Sequence, residues 1–316
     1  MAEPMISTRD LTKSYDKVHA LRGVSLDVAE GTVLGLLGHN GAGKTTLVNI
    51  LATLLPPSGG SAAVAGHDVL RDSRAVRGCI GLTGQFASVD EKLSGFDNLV
   101  LIGRLLGASA RQARERADEL LDTFDLAGAA RRLCRTYSGG MRRRLDLAAS
   151  LVGRPRVIFL DEPSTGLDPA SRLSLWETVE ALVADGTTVL LTTQYLEEAE
   201  RLADIVAVLA EGSVVAAGTP TELKSQVGER RAQLSTTRRG DTVKVAEALR
   251  RAGFAAVQTP EEGTVSVPVA DFEDFAQVVR AVEEAAVPVT GLTLSEPSLD
   301  DVYLSLAAKP VAAAAR

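Results

Sequence analysis

Cysteine, histidine and aromatic residues are scarce in this chain. Its 316 residues hold 2 Cys, 3 His, 1 Trp, 4 Tyr and 7 Phe. Cys79 and Cys134 match no metal-binding or redox spacing, so a disulfide framework and a thiolate metal centre are excluded. Both read as reduced packing residues of a cytosolic protein. His19, His39 and His67 are scattered and form no ligand cluster. Positive charge is not in excess either: 34 basic residues face 41 acidic ones, for a net charge of −7. That balance argues against a nucleic-acid backbone as the main partner. No apolar run approaches the roughly 18 residues that a membrane-spanning helix needs. The opening Met-Ala-Glu-Pro-Met lacks a basic segment followed by an apolar one, so no signal peptide is expected. No repeat with a period of roughly 20–50 residues is present.

What is present centres on residues 32–46, Thr-Val-Leu-Gly-Leu-Leu-Gly-His-Asn-Gly-Ala-Gly-Lys-Thr-Thr. The apolar run 33–37 reads as a buried strand, and Thr46 onward continues as a helix. Between them, residues 38–45 fit the pattern G-x-x-x-x-G-K-[ST], in the strand–turn–helix context of a phosphate-binding loop. Gly38, Gly41 and Gly43 let the backbone curl so that its N–H groups converge on phosphate oxygens. The helix N-terminus adds a field that favours anions. Lys44 is placed to reach terminal phosphates, and the Thr45 hydroxyl to ligate Mg²⁺. His39 occupies a variable position of this loop and is assigned no chemistry.

Further motifs follow along the chain. Residues 5–31 alternate apolar and polar, a strand-rich opening. Tyr15 lies in it, ahead of the loop, where an aromatic ring can stack on a base or simply pack. Gln85 follows a short strand expected at 80–83. From Gly95 to about Leu133 the pattern is helical, with Leu99, Ile102, Leu105 and Leu106 read as one apolar face, and Leu120, Leu121, Phe124 and Leu126 as another. Tyr137-Ser-Gly-Gly-Met-Arg-Arg-Arg then opens a helix that Ser138 can cap. Gly139 and Gly140 expose backbone N–H groups there, forming a second anion site. Residues 156–163, Arg-Val-Ile-Phe-Leu-Asp-Glu-Pro, form a buried strand ending in two carboxylates, where open α/β sheets place their chemistry. Asp161 is placed to hold Mg²⁺ and Glu162 to polarise an attacking water. Asp168 starts a helix running to about 184, with Leu173, Trp176, Val179 and Val183 on its buried side. Another buried strand, 187–193, ends at Gln194.

These motifs in this order resemble the ATP-binding subunit of ABC transporters over residues 5–220. The resemblance implies an α/β fold: a phosphate-loop ATPase domain with a RecA-like core, an antiparallel β subdomain and a helical subdomain. It implies ATP and Mg²⁺ as ligands and a head-to-tail dimer with two ATP molecules sandwiched. It assigns base stacking to Tyr15 and the phosphates to His39, Asn40, Ala42 and Thr46 together with the glycines, Lys44 and Thr45. Gln85 would sense Mg²⁺ and the attacking water, Ser138, Gly139 and Gly140 would meet the γ-phosphate across the dimer, and Asp168 would lie at the dimer crossing. The family usually carries a histidine where this chain has Gln194. That variant, with Leu-Thr-Gly-Gln-Phe-Ala-Ser-Val-Asp-Glu and the ending Pro-Ser-Leu-Asp-Asp-Val-Tyr-Leu, is similar to the daunorubicin/doxorubicin-resistance type of subunit. It implies a peripheral protein on the cytoplasmic face of the membrane, held there by a separate membrane permease that exports the drug.

The domains expected are 1–220 for nucleotide binding, 221–308 for a small α+β domain and 309–316 for a disordered tail. The second reads strand, helix, strand, strand, helix, strand, a ferredoxin-like order, followed by an amphipathic helix. A competing assignment is a soluble ATPase of the same class acting on ribosomes or DNA. Such proteins usually carry two cassettes or a long coiled-coil insertion, and this chain shows neither. A phosphate-loop kinase or GTPase leaves Ser138-Gly139-Gly140 unexplained.

Overall fold

The computed structural model describes residues 3–84, 89–226, 230–238, 240–259, 263–295 and 297–307. The chain folds as two compact units, Met1–Pro220 and Thr221–Arg316. Gln85 and the expected tail lie outside the described residues.

In the first unit the opening alternation forms the hairpin β1 (Ile6–Tyr15) and β2 (Val18–Val28), with Ile6, Leu11, Leu21, Val24 and Val28 buried. The apolar run is β3 (Val33–Leu37), buried throughout, and α1 (Lys44–Leu51) starts directly after the glycine-rich turn. Then come β4 (Gly59–Val64), β5 (His67–Asp68), α2 (Ser73–Cys79) and β6 (Ile80–Thr83). The helical part holds α3 (Gly95–Leu105), α4 (Ala110–Thr123) and α5 (Gly139–Ser150), each capped by a serine hydroxyl: Ser94, Ser109 and Ser138. The chain closes with β7 (Val157–Asp161), α6 (Pro169–Ala184), β8 (Thr188–Thr193), α7 (Leu196–Leu202), β9 (Ile205–Ala210) and β10 (Ser213–Gly218).

Two sheets result. One is antiparallel in the order β2-β1-β4-β5. The other runs β10-β9-β3-β8-β7-β6, parallel from β9 to β6, with β10 antiparallel at its edge. One core joins both sheets through α1: Leu47, Ile50 and Leu51 pack with Leu11, Leu36 and Phe159 in the same cluster. This is the expected layout of parallel core, antiparallel sheet and helical region. Because β8 lies between β3 and β7, the phosphate loop, Asp161-Glu162 and Gln194 leave adjacent strand ends.

Two expected helix faces differ from those observed. In α3 the buried residues are Gly95, Phe96, Asn98, Leu99 and Gly103, whereas Leu105 is 77% exposed and Leu106 is exposed too. Gly103 lets Ala113 of α4 approach closely, so the helix turns this small-residue seam inward and points its last leucines outward. In α6, Trp176 and Val179 are buried as read, but Leu175 takes the place given to Leu173, which is exposed.

The second unit begins with α8 (Pro220–Ser225) and continues as β11 (Arg231–Thr236), α9 (Asp241–Arg251), β12 (Val257–Thr259), β13 (Thr264–Pro268), α10 (Phe272–Glu284), β14 (Val289–Ser295) and α11 (Leu299–Ala307). Its sheet order β12-β13-β11-β14 is antiparallel throughout, the split β-α-β arrangement of a ferredoxin-like layer. Val245, Leu249 and Val278 cover it with Leu234, Val265 and Val267 in a separate core. No helix of the described residues is long and apolar enough to cross a membrane.

Candidate functional site

A cavity of about 640 Å³ opens over the strand ends. It is lined by Ala20, His39, Asn40, Gly41, Gly43, Lys44, Thr45, Thr46, Arg143, Glu162, Thr165 and Gln194. One wall is the glycine-rich turn. Gly43 has φ +109°, and a Cβ there would lie 2.5 Å from the Ala20 carbonyl oxygen, so only glycine fits. Gly38 is closed in the same way by the Leu209 carbonyl. Ala42 is fully buried and its N–H donates to the His39 carbonyl at 3.1 Å, so it faces away from the cavity. The His39 imidazole sits 2.7 Å from the Asn40 carbonyl.

Lys44 is buried, with Nζ donating to the Gly38 carbonyl at 2.6 Å and the His39 carbonyl at 3.3 Å. The same ammonium lies 3.6 Å from Glu162 Oε1. Thr45 Oγ1 donates to Asp161 Oδ2 at 3.1 Å, and the Thr192 hydroxyl donates to Oδ1 of the same carboxylate. Thr45 and Asp161 therefore form a small cluster of hard oxygen donors, which suits Mg²⁺ with further ligands from phosphate and water. Among the described residues no group of three or more His, Cys, Asp or Glu could hold a metal by itself. Glu162 has φ +51°, a left-handed conformation uncommon outside glycine. Its N–H is held by the Thr192 carbonyl at 3.0 Å and the Thr192 hydroxyl at 3.1 Å.

The remaining expected site residues lie apart from this cavity. Tyr15 is exposed at the end of β1, with the Lys13 ammonium 5.2 Å from its ring centroid. Ser138 caps α5 by accepting from the Met141 N–H at 3.2 Å; Gly139 stands in the first turn with open space beside it. A Cβ on Gly140 would meet the Ser171 hydroxyl at 2.6 Å, so the Ser138-Gly139-Gly140 turn, the signature turn of this chain, packs on the start of α6. Asp168 caps α6, accepting from the Ser171 N–H at 3.0 Å and hydroxyl at 2.6 Å. The hydrogen bonds from Ser171 hold its carboxyl below the usual range.

Sequence reasoning passed over three contributors. In the sequence Thr192 reads only as part of a strand, and Thr165 as part of the stretch that starts the helix after it. Arg143 was quoted within an arginine triplet without a role. Successive residues on a helix point about 100° apart, and the triplet fans out accordingly. Arg142 reaches Glu91, Arg144 reaches Phe124 and Asp125, and Arg143 turns to the end of β7.

A phosphate loop, strand-end carboxylates on a parallel sheet and a separate Ser-Gly-Gly helix together define an ATP-binding cassette. The family described as ABC transporter matches residues 21–165, and the one described as ATP-binding protein DrrA1-3-like, C-terminal domain, matches residues 218–307. The daunorubicin resistance ATP-binding protein DrrA3 of Streptomyces coeruleorubidus is 51% identical, over 97% of this chain and 96% of its own. The daunorubicin/doxorubicin resistance ATP-binding protein DrrA of Streptomyces peucetius is 49% identical, over 96% and 93%. A solved dimeric ATP-binding cassette in a post-hydrolysis state with ADP and Pi is 25% identical with a TM-score of 0.63, covering 68% of this chain and 98% of that one. The chain belongs to the ABC transporter ATP-binding proteins of the daunorubicin/doxorubicin-resistance type. It binds nucleotide and hydrolyses ATP as the ATPase subunit of a transporter.

Proposed function

We propose that the chain powers efflux of an amphipathic, anthracycline-like drug through a separate membrane permease, working as a head-to-tail pair on the cytoplasmic face of the membrane. One observation carries the head-to-tail reading. The cavity is lined by the phosphate loop, Glu162 and Gln194, while Ser138, Gly139 and Gly140 of the same chain lie outside its walls. A second copy would bring its own signature turn to the γ-phosphate. Asp168 would then lie at the crossing between copies, and Tyr15 would stack on the base.

In this reading the N–H groups around Asn40, Gly41, Gly43 and Thr46 cradle the phosphates, and Lys44 leaves its carbonyl partners to meet them. Thr45 and Asp161 would hold Mg²⁺, which supplies charge neutralisation on the phosphates. Glu162 accepts a proton from the attacking water. Gln85 keeps the water-sensing role that its motif implies. Leu101 and Leu105, one turn apart and exposed on α3, support docking of the membrane subunit on the helical region.

The test is Glu162→Gln in the full chain with its membrane partner. ATP binding is expected to persist, an ATP-bound dimer to accumulate in light scattering, and turnover to fall roughly 10²-fold or more. Turnover near that of the wild type would overturn the assignment.

A further inference from the structure

Arg143 makes an unusual set of contacts for a residue on the signature helix. Its Nε donates to the Pro163 carbonyl at 2.6 Å, and its Nη2 to the Glu162 carbonyl at 3.1 Å and the Asp161 carbonyl at 3.4 Å. Its Nη1 donates to the Gly84 carbonyl at 2.9 Å. One guanidinium thus spans three consecutive carbonyls, from the last residue of β7 onward, and one past the end of neighbouring β6. An arginine has five N–H donors in a planar fork. With four hydrogen bonds to carbonyls, Arg143 borders the cavity with its fork engaged mainly by backbone.

The backbone it grips includes Glu162, one of the non-glycine residues with a left-handed φ. A non-glycine residue at positive φ persists only where its surroundings over-determine it, at a cost on the order of 1–3 kcal/mol. Thr192 fixes the N–H side of Glu162, and Arg143 fixes its carbonyl side. We propose that Arg143 is a positioning residue for ATP hydrolysis: it holds the Glu162 turn in the conformation that aims the carboxylate into the cavity, and ties that turn to the helix bearing Ser138-Gly139-Gly140. Burial pushes the guanidinium below its ordinary pKa, and the carboxylates of Asp146, Glu198 and Asp161 oppose that shift. Lysine would keep the charge, but a single ammonium does not reproduce the planar fork. The inference rests on Glu162 being the base, as proposed above.

The experiment measures steady-state ATP hydrolysis and separate ATP binding for the wild type, Arg143→Gln, Glu162→Gln and the double variant, each assembled with the membrane partner. Arg143→Gln is expected to lower kcat by about tenfold or more, with KM and ATP affinity moving less than about threefold, as the loss of charged hydrogen bonds predicts. Added to Glu162→Gln, it is expected to lower the residual rate by no more than about twofold, because the two act through one group. An unchanged kcat, affinity falling in step with kcat, or full additivity would each overturn the proposal. Should Arg143→Gln fail to fold, Arg143→Lys is expected to show the same selective loss of kcat, and wild-type turnover in it would overturn the proposal. If Glu162→Gln alone hydrolyses ATP at the wild-type rate, the base assignment falls, and this inference with it.

Discussion

Gln194 follows the end of β8, exposed and bordering the cavity that the phosphate loop also lines. A glutamine amide donates a hydrogen bond but does not titrate near neutral pH, whereas imidazole does both. If the amide steadies the γ-phosphate, Gln194→Ala should lower kcat by about 10–100-fold, the equivalent of one hydrogen bond to a charged group. ATP affinity should change less, because Lys44 and the loop are untouched. Gln194→His should stay active and acquire a pH dependence between about 6 and 7, near the imidazole pKa. Steady-state turnover against pH, with binding measured separately, checks both variants; an unchanged kcat in the alanine variant would make Gln194 a bystander. Its type and its place at a strand end were legible in the sequence, and the family resemblance implies a strand beside the one ending in Asp161-Glu162, as β8 is. That β3 flanks β8 on its other side, so that Gln194 also leaves the sheet beside the loop, was decided by the fold.

The element that sets the chemistry is the turn between β3 and α1. Gly43 combines a left-handed φ with the Ala20 carbonyl against its missing side chain. Gly43→Ala should therefore incur both backbone strain and overpacking, together about 2–5 kcal/mol. Denaturant unfolding should show that loss alongside weakened ATP binding; a variant with wild-type stability would show that the turn can yield. The residue pattern announced this element, because a strand, a glycine turn and a helix N-terminus are contiguous and need no distant partner. Helix faces were harder to read. Around α3 the helical spacing of apolar residues favoured Leu105 and Leu106, yet the buried seam runs through Gly103, whose value is close approach to Ala113 rather than hydrophobicity. Arg143 escaped notice for a related reason: three consecutive arginines look alike in a sequence, and only packing decides which of them meets the end of β7.

At the scale of the whole molecule, each unit has its own core. The cavity beside the glycine-rich turn is lined by residues of the first unit alone. A chain ending at Pro220 is therefore expected to bind ATP with an affinity within about threefold of the full chain, since no cavity contact is removed. It is expected to assemble poorly with the membrane partner or with a second copy. Nucleotide titration and co-purification from membranes check the two halves of this prediction, and full transport by the truncated chain would show the second unit to be dispensable.

The sequence by itself determined the parts whose chemistry is local. These are the glycine loop with Lys44 and Thr45, the serine that caps the signature helix, the carboxylates at the end of an apolar strand, and the strand–helix order of the second unit. Each depends on neighbouring residues and on backbone rules that hold wherever the segment lies. Tertiary structure decided how those parts meet. Thr45 and Asp161 come within hydrogen-bond distance across 116 positions of chain because β3 and β7 flank one strand. Glu162 keeps a left-handed backbone because Thr192 and Arg143 grip it from two other elements. Such contacts follow from sheet order and helix rotation, and these are set by how the whole core packs rather than by any single stretch of sequence.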